Sequence, residues 1–586
     1  MDLLFNVIKN EREQNGTKII SHDYWFQICG ILKFNNYLKE TWLNYSKLVS
    51  KTNTASKLWD SIKNTTPMSI YGLQNIAKNI NPEGYKIWKD KYLPKLFISL
   101  LELNSGYDTS RVISSTLKEE LVFCKNTWYM LNSTSQLWVQ VKEPAKIILQ
   151  KTRKYIDYSN KIIVLKIQET EGDEKEKLIK TSKDYLASYK TIESSGYLSV
   201  LVKCLKTDLL DDKFEDKLNM NVGELAFKNG IVNLETKQFR EGIQWYDYLT
   251  DTIPYDYVKS DYTFVKSKLK EILNNNDEHL EYFLSIIGYS FIGNPDLEKS
   301  IYFMIDKTDG GVGDNGKTLY FDILNCLAPN YVYRTKATLI EANNTKLHKQ
   351  IALTKGKRLV WLEELPKGKQ LNESLMKEIV DGKQIENEVM FGTSETIKIL
   401  FKMFALSNHI PKIDPNEKAV YNRYKQVSFN SHFDRTGTRK EPDPTQLKFI
   451  ADTGLADEIK TKYPNEVFNL IIEYASRYYR SGIPSIPPQF IKDTKDTQAS
   501  NDDFGMWFDE NCEVCEDGII AEELIINVSK MNAKLVREGM KRKGFKYDSQ
   551  LKKGLGKNIH GKFYNGRFSG VKYIEPEFEN DTVENV

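Results

Sequence analysis

Cysteine is scarce and scattered: there are six in 586 residues, and only Cys512 and Cys515 lie close together. That excludes a disulfide-stapled scaffold and fits a reducing, intracellular compartment. The lone CEVC pair has neither a second CxxC nor a nearby His pair, so it falls short of the four ligands of a structural zinc site. No apolar run approaches the roughly 20 residues needed to span a bilayer. The opening stretch MDLLFNVIKNEREQ also lacks a signal-peptide pattern. A soluble chain without a membrane role is expected. An excess of one charge is missing too: the net charge is +3, so nucleic-acid binding must come from local patches. No internal repeat is present. The rest of the composition is that of a globular protein, 40% hydrophobic and 28% charged, and the length requires several domains.

Periodicity divides the chain. Apolar positions at three- and four-residue spacing predict helices over residues 20–95, including a short amphipathic one at Met68–Lys78. TWYMLNSTSQLWVQV (127–141) alternates around a polar turn and predicts a β-hairpin. Residues 141–220 read as mainly helical, with a solvated charged stretch at 168–184. GELAFKNGIVNLETKQFREG (223–242) has hairpin chemistry around Asn-Gly, and 262–295 return to helix. From 297 onward, buried strands alternate with helices, the pattern of an α/β nucleotide-binding core. IPSIPPQF (483–490) ends that core, and DTKDTQASNDD (493–503) reads as a linker.

The chemistry centres on GGVGDNGKT. After the apolar run IYFMI (301–305), Gly311, Gly316, Lys317 and Thr318 fit GxxxxGK[ST], and LYFDILNCL can continue as a helix. Glycines let backbone N–H groups turn towards phosphate oxygens, and a helix N-terminus adds a favourable dipole. The candidate nucleotide contacts are Gly311, Gly313, Asp314, Asn315, Gly316, Lys317 and Thr318. Lys317 would reach the β/γ phosphates of ATP, and the Thr318 hydroxyl would ligate Mg²⁺. KRLVWLEEL (357–365) is a second buried run ending in acids. Glu363 is expected on the metal side and Glu364 on the attacking water. A third run, ILFKMFALSNHIP (399–411), ends in Asn408, placed to touch the γ-phosphate or the water. AVYNRYKQVSF (419–429) then sets Arg423 ahead of another strand, suited to reach a neighbouring subunit's nucleotide.

This order of loop, acidic strand, Lys-rich segment, Asn strand and Arg resembles the superfamily 3 helicases, AAA+-related ring ATPases of viral replication. It is most similar to the helicase-primase proteins of poxviruses and other large DNA viruses, and to phage and plasmid primase-helicases. The residues that carry it are GVGDNGKT (311–318), RLVWLEEL (358–365), MKEIVDGKQIENEVMFG (376–392), FKMFALSNHIP (401–411) and NRYKQVSF (422–429). In the third segment Asp381 and Lys383 depart from the family pattern. The 223–242 stretch with YDYLTDTIPYDY (246–257) is similar to the domain preceding the core in these proteins. WFQICGILKF through MSIYGLQNIAK is similar to the module that follows their primase domain. No primase DxD and SxH pair is found.

The resemblance implies a multidomain α/β and α+β chain with an AAA+-like superfamily 3 core. Its expected parts are a helical module (1–100), a mixed α/β domain (101–290), the ATPase core (291–490), a linker (491–503), a basic winged-helix-like module (504–574) and an acidic tail (575–586). It implies an ATP- and Mg²⁺-dependent DNA helicase assembling as a homo-hexamer at a large DNA virus's replication site in the host cell. A separate primase and fork proteins would be its partners. In the family a hairpin before the Asn strand grips one DNA strand. Here that is 385–402, turning at FGTSE (391–395), with Lys398 and Lys402 on its return arm. From Lys534 to Lys572 there are twelve Lys/Arg against two Asp/Glu. Lys541, Arg542, Lys543 and Lys546 are the candidate phosphate contacts in this module. The rival expectations are a primase-helicase whose main role is priming, and a DNA-binding scaffold or loader assembled by ATP without unwinding.

Overall fold

The computed structural model describes residues 120–548 apart from 193, 309–312, 342–343, 366–370, 388–394, 410, 412 and 415–416. It also describes 567–574 and scattered positions before 119, among them 39–48 and 52–61. Most of the expected Met68–Lys78 helix, the tip of the 385–402 hairpin and the acidic tail lie outside the described residues. Two compact units divide the chain: residues 1–133 with 138–216, and residues 134–137 with 217–586. No helix among the described residues is long and apolar enough to cross a membrane.

In the first unit, helices α1 (Lys39–Leu48) and α2 (Thr52–Ser61) pack through Trp42, whose indole N–H donates to Ala55 O at 3.0 Å. The predicted hairpin is part of an antiparallel meander, β1 (Leu121–Cys124), β2 (Thr127–Leu131) and β3 (Trp138–Val141). Helices α3 (Pro144–Glu169), α4 (Asp173–Ile192) and α5 (Ser195–Asp208) follow. The charged 168–184 stretch lies mostly on α4 and is largely exposed, as its composition predicts.

The second unit opens with a three-stranded antiparallel sheet, β4 (Glu224–Phe227), β5 (Gly230–Asn233) and β6 (Phe239–Glu241), where a hairpin was expected. Helices α6 (Thr263–Ile272) and α7 (Asp277–Ile292) follow. The expected mixed domain at 101–290 is therefore divided near residue 216. Leu225, Phe227 and Val232 join the apolar core of α7 and of a later helix carrying Phe468 and Tyr474, so 217–290 share the core of the second unit.

The centre of this unit is a five-stranded, wholly parallel sheet. Its strands are β7 (Ile301–Asp306), β8 (Val332–Lys336), β9 (Leu359–Glu363), β12 (Lys402–Ser407) and β13 (Tyr424–Phe429), in the order β13-β7-β12-β9-β8. Strands buried on both faces read as unbroken apolar runs, which explains IYFMI, LVWL and MFAL. Tyr302, Met304, Trp361, Phe404 and Leu406 face one core, with helix α8 (Lys317–Leu327) among its elements. Ile301, Phe303, Ile305, Val360, Leu362 and Ala405 face another, with α9 (Glu373–Val380). Between β9 and β12 a short hairpin, β10 (Gln384–Asn387) against β11 (Glu395–Lys398), stands apart from the sheet. After β13 come the parallel pair β14 (His432–Asp434) and β15 (Lys448–Ile450), then α10 (Leu455–Lys462) and α11 (Pro464–Ser481).

The 491–503 linker is not a linker. Residues Pro488–Ser500 form helix α12, with Phe490, Asp493 and Thr497 buried. Thr497 Oγ1 donates to Gln426 Oε1 on β13 at 2.7 Å. Three- and four-residue spacing of small and polar side chains concealed the amphipathic face. Beyond it, α13 (Asp503–Asn511), β16 (Cys512–Ala521), α14 (Glu522–Ser529), α15 (Ala533–Arg542), β17 (Tyr547–Asp548) and β18 (Arg567–Tyr573) build a small core. Its antiparallel sheet has the order β16-β18-β17.

Candidate active site

In open parallel sheets ligands bind outside the carboxyl ends of the strands, and three of the sequence-predicted groups converge there. β12 lies between β7, which leads into the glycine loop, and β9, which ends in the paired glutamates. The loop is anchored by a residue that the motif pattern does not include. Asp306, the buried last residue of β7, accepts Thr308 N at 2.8 Å and Thr308 Oγ1 at 2.6 Å through one oxygen. Its other oxygen accepts Gly313 N at 3.0 Å. One carboxylate thus ties both ends of the loop. An acid closing IYFMID just before the glycines was the available signal.

Gly311 lies outside the described residues. Gly313, Asp314 and Gly316 have φ of +83°, +50° and +77°, a left-handed region that favours glycine. At Gly316 a side chain would also meet Ile272 of α6 at 2.9 Å. Asp314 is the non-glycine among them. Its carbonyl accepts Phe433 N at 2.8 Å, and its carboxylate pairs with Arg435 Nε at 2.9 Å. Asn315 is buried and accepts Lys317 N at 3.2 Å, and its Nδ2 has no hydrogen-bond partner among the described residues. That orphan donor stands at the N-terminus of α8, where an anion would satisfy it.

Lys317, the first residue of α8, is buried. Its ammonium donates to Asn408 Oδ1, just past β12, and lies 3.9 Å from Asp306 Oδ2. Burial pulls its pKa down, against the upward pull of Asp306 and Glu364. Lysine and asparagine therefore meet at this end of the sheet. Glu364 follows β9 with φ +48°, and its charge acts on Lys317. Glu363 is engaged differently: it accepts from Arg334 of β8, whose guanidinium also lies over the Trp361 ring at 5.1 Å. Thr318 is half-buried in the first turn of α8. Among the described residues no three His, Cys, Asp or Glu side chains form a metal cage; Mg²⁺ beside a triphosphate needs only one or two carboxylates with phosphate oxygens. A cavity of about 250 Å³ opens beside the loop, walled by Ile272, Gly316, Leu319, Phe433 and Leu455.

Arg423 is not at this end of the sheet. Tyr424 pairs with Ile301 and Phe429 with Asp306. Arg423, one residue before Tyr424, therefore sits at the opposite end of β7 from the loop, about 20 Å from the level of Asp306 at roughly 3.3 Å per residue. Its Nη2 lies 3.1 Å from Asp381 Oδ1, and its Nη1 donates to Ala419 O at 3.0 Å. Burial works to raise the Asp381 carboxyl, but Arg423 and then Lys299 outweigh it and hold the group below the usual carboxylate range.

Of the two hairpin lysines, Lys398 is exposed on β11. Lys402 lies beyond the hairpin and does not face outward as expected. It is the first residue of a central strand and is buried, with its ammonium donating to Pro295 O at 3.1 Å and to Glu298 O and lying over the Tyr289 ring. Burial brings its pKa down to about 7, against Glu298 and Asp296. It has no surface to offer a nucleic acid strand. In the terminal module Lys541 and Lys546 are exposed without an ion pair among the described residues. Arg542 is paired with Asp502 at 2.6 Å and Lys543 with Asp509.

Residues 111–277 match the family described as D5 N terminal like, a segment that straddles the boundary between the two compact units. The chain is 24% identical over 528 residues to "Putative helicase L207/L206" of Acanthamoeba polyphaga mimivirus, covering 83% of this chain and 53% of that protein. It is 23% identical over 380 residues to "Putative helicase V13" of Sputnik virophage, covering 63% and 45%. It is 24% identical over 300 residues to "Putative helicase 184R" of Invertebrate iridescent virus 6, covering 48% and 30%. This chain spans about half, or less, of the curated relatives it matches. A solved structure, the A form apo structure of the NrS-1 C terminal region, aligns over 50% of this chain at 13% identity and a TM-score of 0.31. The chain thus carries a D5 N terminal like segment and is a relative of helicase-named proteins of large DNA viruses and a virophage.

Proposed function

We propose that this chain is an ATP-dependent, ring-forming DNA helicase of superfamily 3, with an AAA+-like core, that translocates on and unwinds DNA during viral genome replication. The carrying observation is the meeting of Lys317, Asn408 and Asp306 at the carboxyl ends of β7 and β12, with Glu364 following the neighbouring β9. Backbone N–H groups of the loop and α8, with Asn315 Nδ2, hold the phosphates, and Lys317 neutralises the terminal ones. Glu364 orients the attacking water, and Asn408 marks the position of the γ-phosphate. Mg²⁺, when bound, spreads the developing charge over the phosphate oxygens. Thr318, through its hydroxyl, and Glu363, which is held by Arg334, would be the residues to hold it. The nucleoside occupies the neighbouring cavity.

The place of Arg423 supports a ring: at the far end of the sheet from its own loop, it would serve a neighbour's nucleotide. Six subunits enclosing DNA is the assembly proposed. The β10–β11 hairpin with Lys398 grips the strand, and a separate primase and fork proteins act alongside. The terminal module has the helix, strand, two helices, two strands order of a winged helix, and Lys541 and Lys546 supply its free cations. The test is ATP hydrolysis and forked-duplex unwinding by the purified chain and its Lys317→Ala variant, with sizing on an ATP analogue. DNA-stimulated hydrolysis that survives Lys317→Ala overturns the site. A monomer that still unwinds overturns the ring, and hydrolysis without strand separation returns the reading to a loader.

A further inference from the structure

Asp314 is an awkward residue for its place. It sits inside a loop built for anions, carries a carboxylate, and has a φ of +50°. Left-handed backbone costs a side-chain-bearing residue more than glycine, though less for Asp than for most. A bare carboxylate there would also repel the phosphates. Both difficulties are met from one side, by the strand β14 and the residue that follows it. Phe433 N donates to Asp314 O at 2.8 Å, and Arg435 Nε meets the Asp314 carboxylate at 2.9 Å. The strand is itself fixed. It pairs with β15 in register, and Phe433 stacks on Phe449 at 5.3 Å with an interplanar angle of 23°. Asp434 is locked by Thr436, Thr438 and Arg439 N at 2.6 to 3.0 Å.

We infer that Arg435 is a positioning residue for phosphate binding: from the β14 arm it holds Asp314 in its left-handed conformation and cancels its charge inside the phosphate loop. This rests on the nucleotide reading above. Arg435 acts through Asp314 and touches no phosphate itself, so the defect from its loss should vanish when position 314 needs neither service. Glycine at 314 adopts positive φ without steric cost and carries no charge.

The test is equilibrium binding of ATP and of inorganic tripolyphosphate to the full chain and to Arg435→Ala, Asp314→Gly and the double variant. Arg435→Ala should weaken both ligands about tenfold. Asp314→Gly sets the reference for the second comparison, and the double variant should bind within about twofold of Asp314→Gly, so that losing Arg435 costs nothing once position 314 is glycine. Loss of ATP with tripolyphosphate unchanged would mean that Arg435 reads the nucleoside, which overturns the inference. Loss of both ligands without rescue would mean direct phosphate contact, and no loss at all would mean an idle surface pair; each also overturns it. If the unmodified chain binds neither ligand, the nucleotide reading itself fails. Far-UV circular dichroism on each variant separates a folding defect from a binding one.

Discussion

Lys317 and Asn408 are ninety-one residues apart in sequence, yet the ammonium of one donates to the side-chain carbonyl of the other across the end of the parallel sheet. The bond links the loop after β7 to the end of β12, the two strands lying side by side. In the proposed reaction a γ-phosphate arriving at Lys317 would compete for that same ammonium, and Asn408 would register whether the phosphate is there.

Asn408→Ala should therefore act on turnover more than on binding. A drop in kcat of roughly 10²-fold is expected, the scale of losing one oriented polar group at a reacting centre. The ATP Kd should move only a few-fold. Steady-state kinetics beside direct ATP binding checks it; equal losses in both would place Asn408 in ground-state binding.

The two glutamates should separate. Glu364→Gln should retain ATP while losing hydrolysis by roughly 10² to 10⁴, as for loss of a general base. Glu363→Gln should cost less turnover, because its carboxylate is already committed to Arg334. Hydrolysis rates for the pair, with ATP binding as control, decide the order, and a larger loss at Glu363 would reverse the assignment.

How much of this was legible depended on whether a signal was local. The strands announced themselves because burial on both faces leaves no polar alternation, and the loop because its glycines sit between strand and helix. Asn408 and Glu364 were readable as polar residues ending apolar runs. Arg435 was not: its partner Asp314 lies several elements earlier in the chain, and nothing around Arg435, Thr436 and Gly437 suggests a partner in the loop. Lys402 misled for the opposite reason. A lysine at the edge of a strand usually marks an exposed edge, but here it begins a strand flanked on both sides and caps backbone carbonyls. Helix α12 was hidden by its own composition, since its buried positions include Asp493 and Thr497.

Lys402 gives a pH signature. A lysine whose folded pKa is about 7, against about 10.4 when unfolded, binds fewer protons folded than unfolded between those values. Stability from this group therefore rises with pH across that window, and the penalty is fully present below about pH 7. Lys402→Met removes the titration, so its stability relative to the unmodified chain should be several kcal/mol more favourable at about pH 6 than at about pH 9.5. Urea unfolding at both values checks it, and a difference independent of pH would mean the ammonium is not desolvated.

The Arg423–Asp381 pair is partly buried at both ends. A double-mutant cycle with Arg423→Ala and Asp381→Ala should give a coupling of about 1 kcal/mol in unfolding free energy. A coupling near zero would mean that Arg423 is held only by Ala419 O and swings freely.

In the terminal module, Lys541→Glu with Lys546→Glu should weaken DNA binding. On single strands the slope of log K against log salt should become shallower by about 0.7 for each phosphate that is no longer neutralised. Arg542→Ala should instead lower stability, because it breaks the pair with Asp502. Fluorescence anisotropy across a salt series, beside thermal melts, separates the two; an unchanged slope would remove this face from the DNA-binding surface.

The parallel sheet sets the phosphate loop and Arg423 at its two ends. If a nucleotide needs both, one chain holds two halves of two different active centres and never a whole one. Turnover per chain then becomes a property of association, rising with protein concentration and collapsing on dilution before any fold is lost. A chain inactivated at Lys317 and another at Arg423 could restore activity when mixed, since each brings the half that the other lacks.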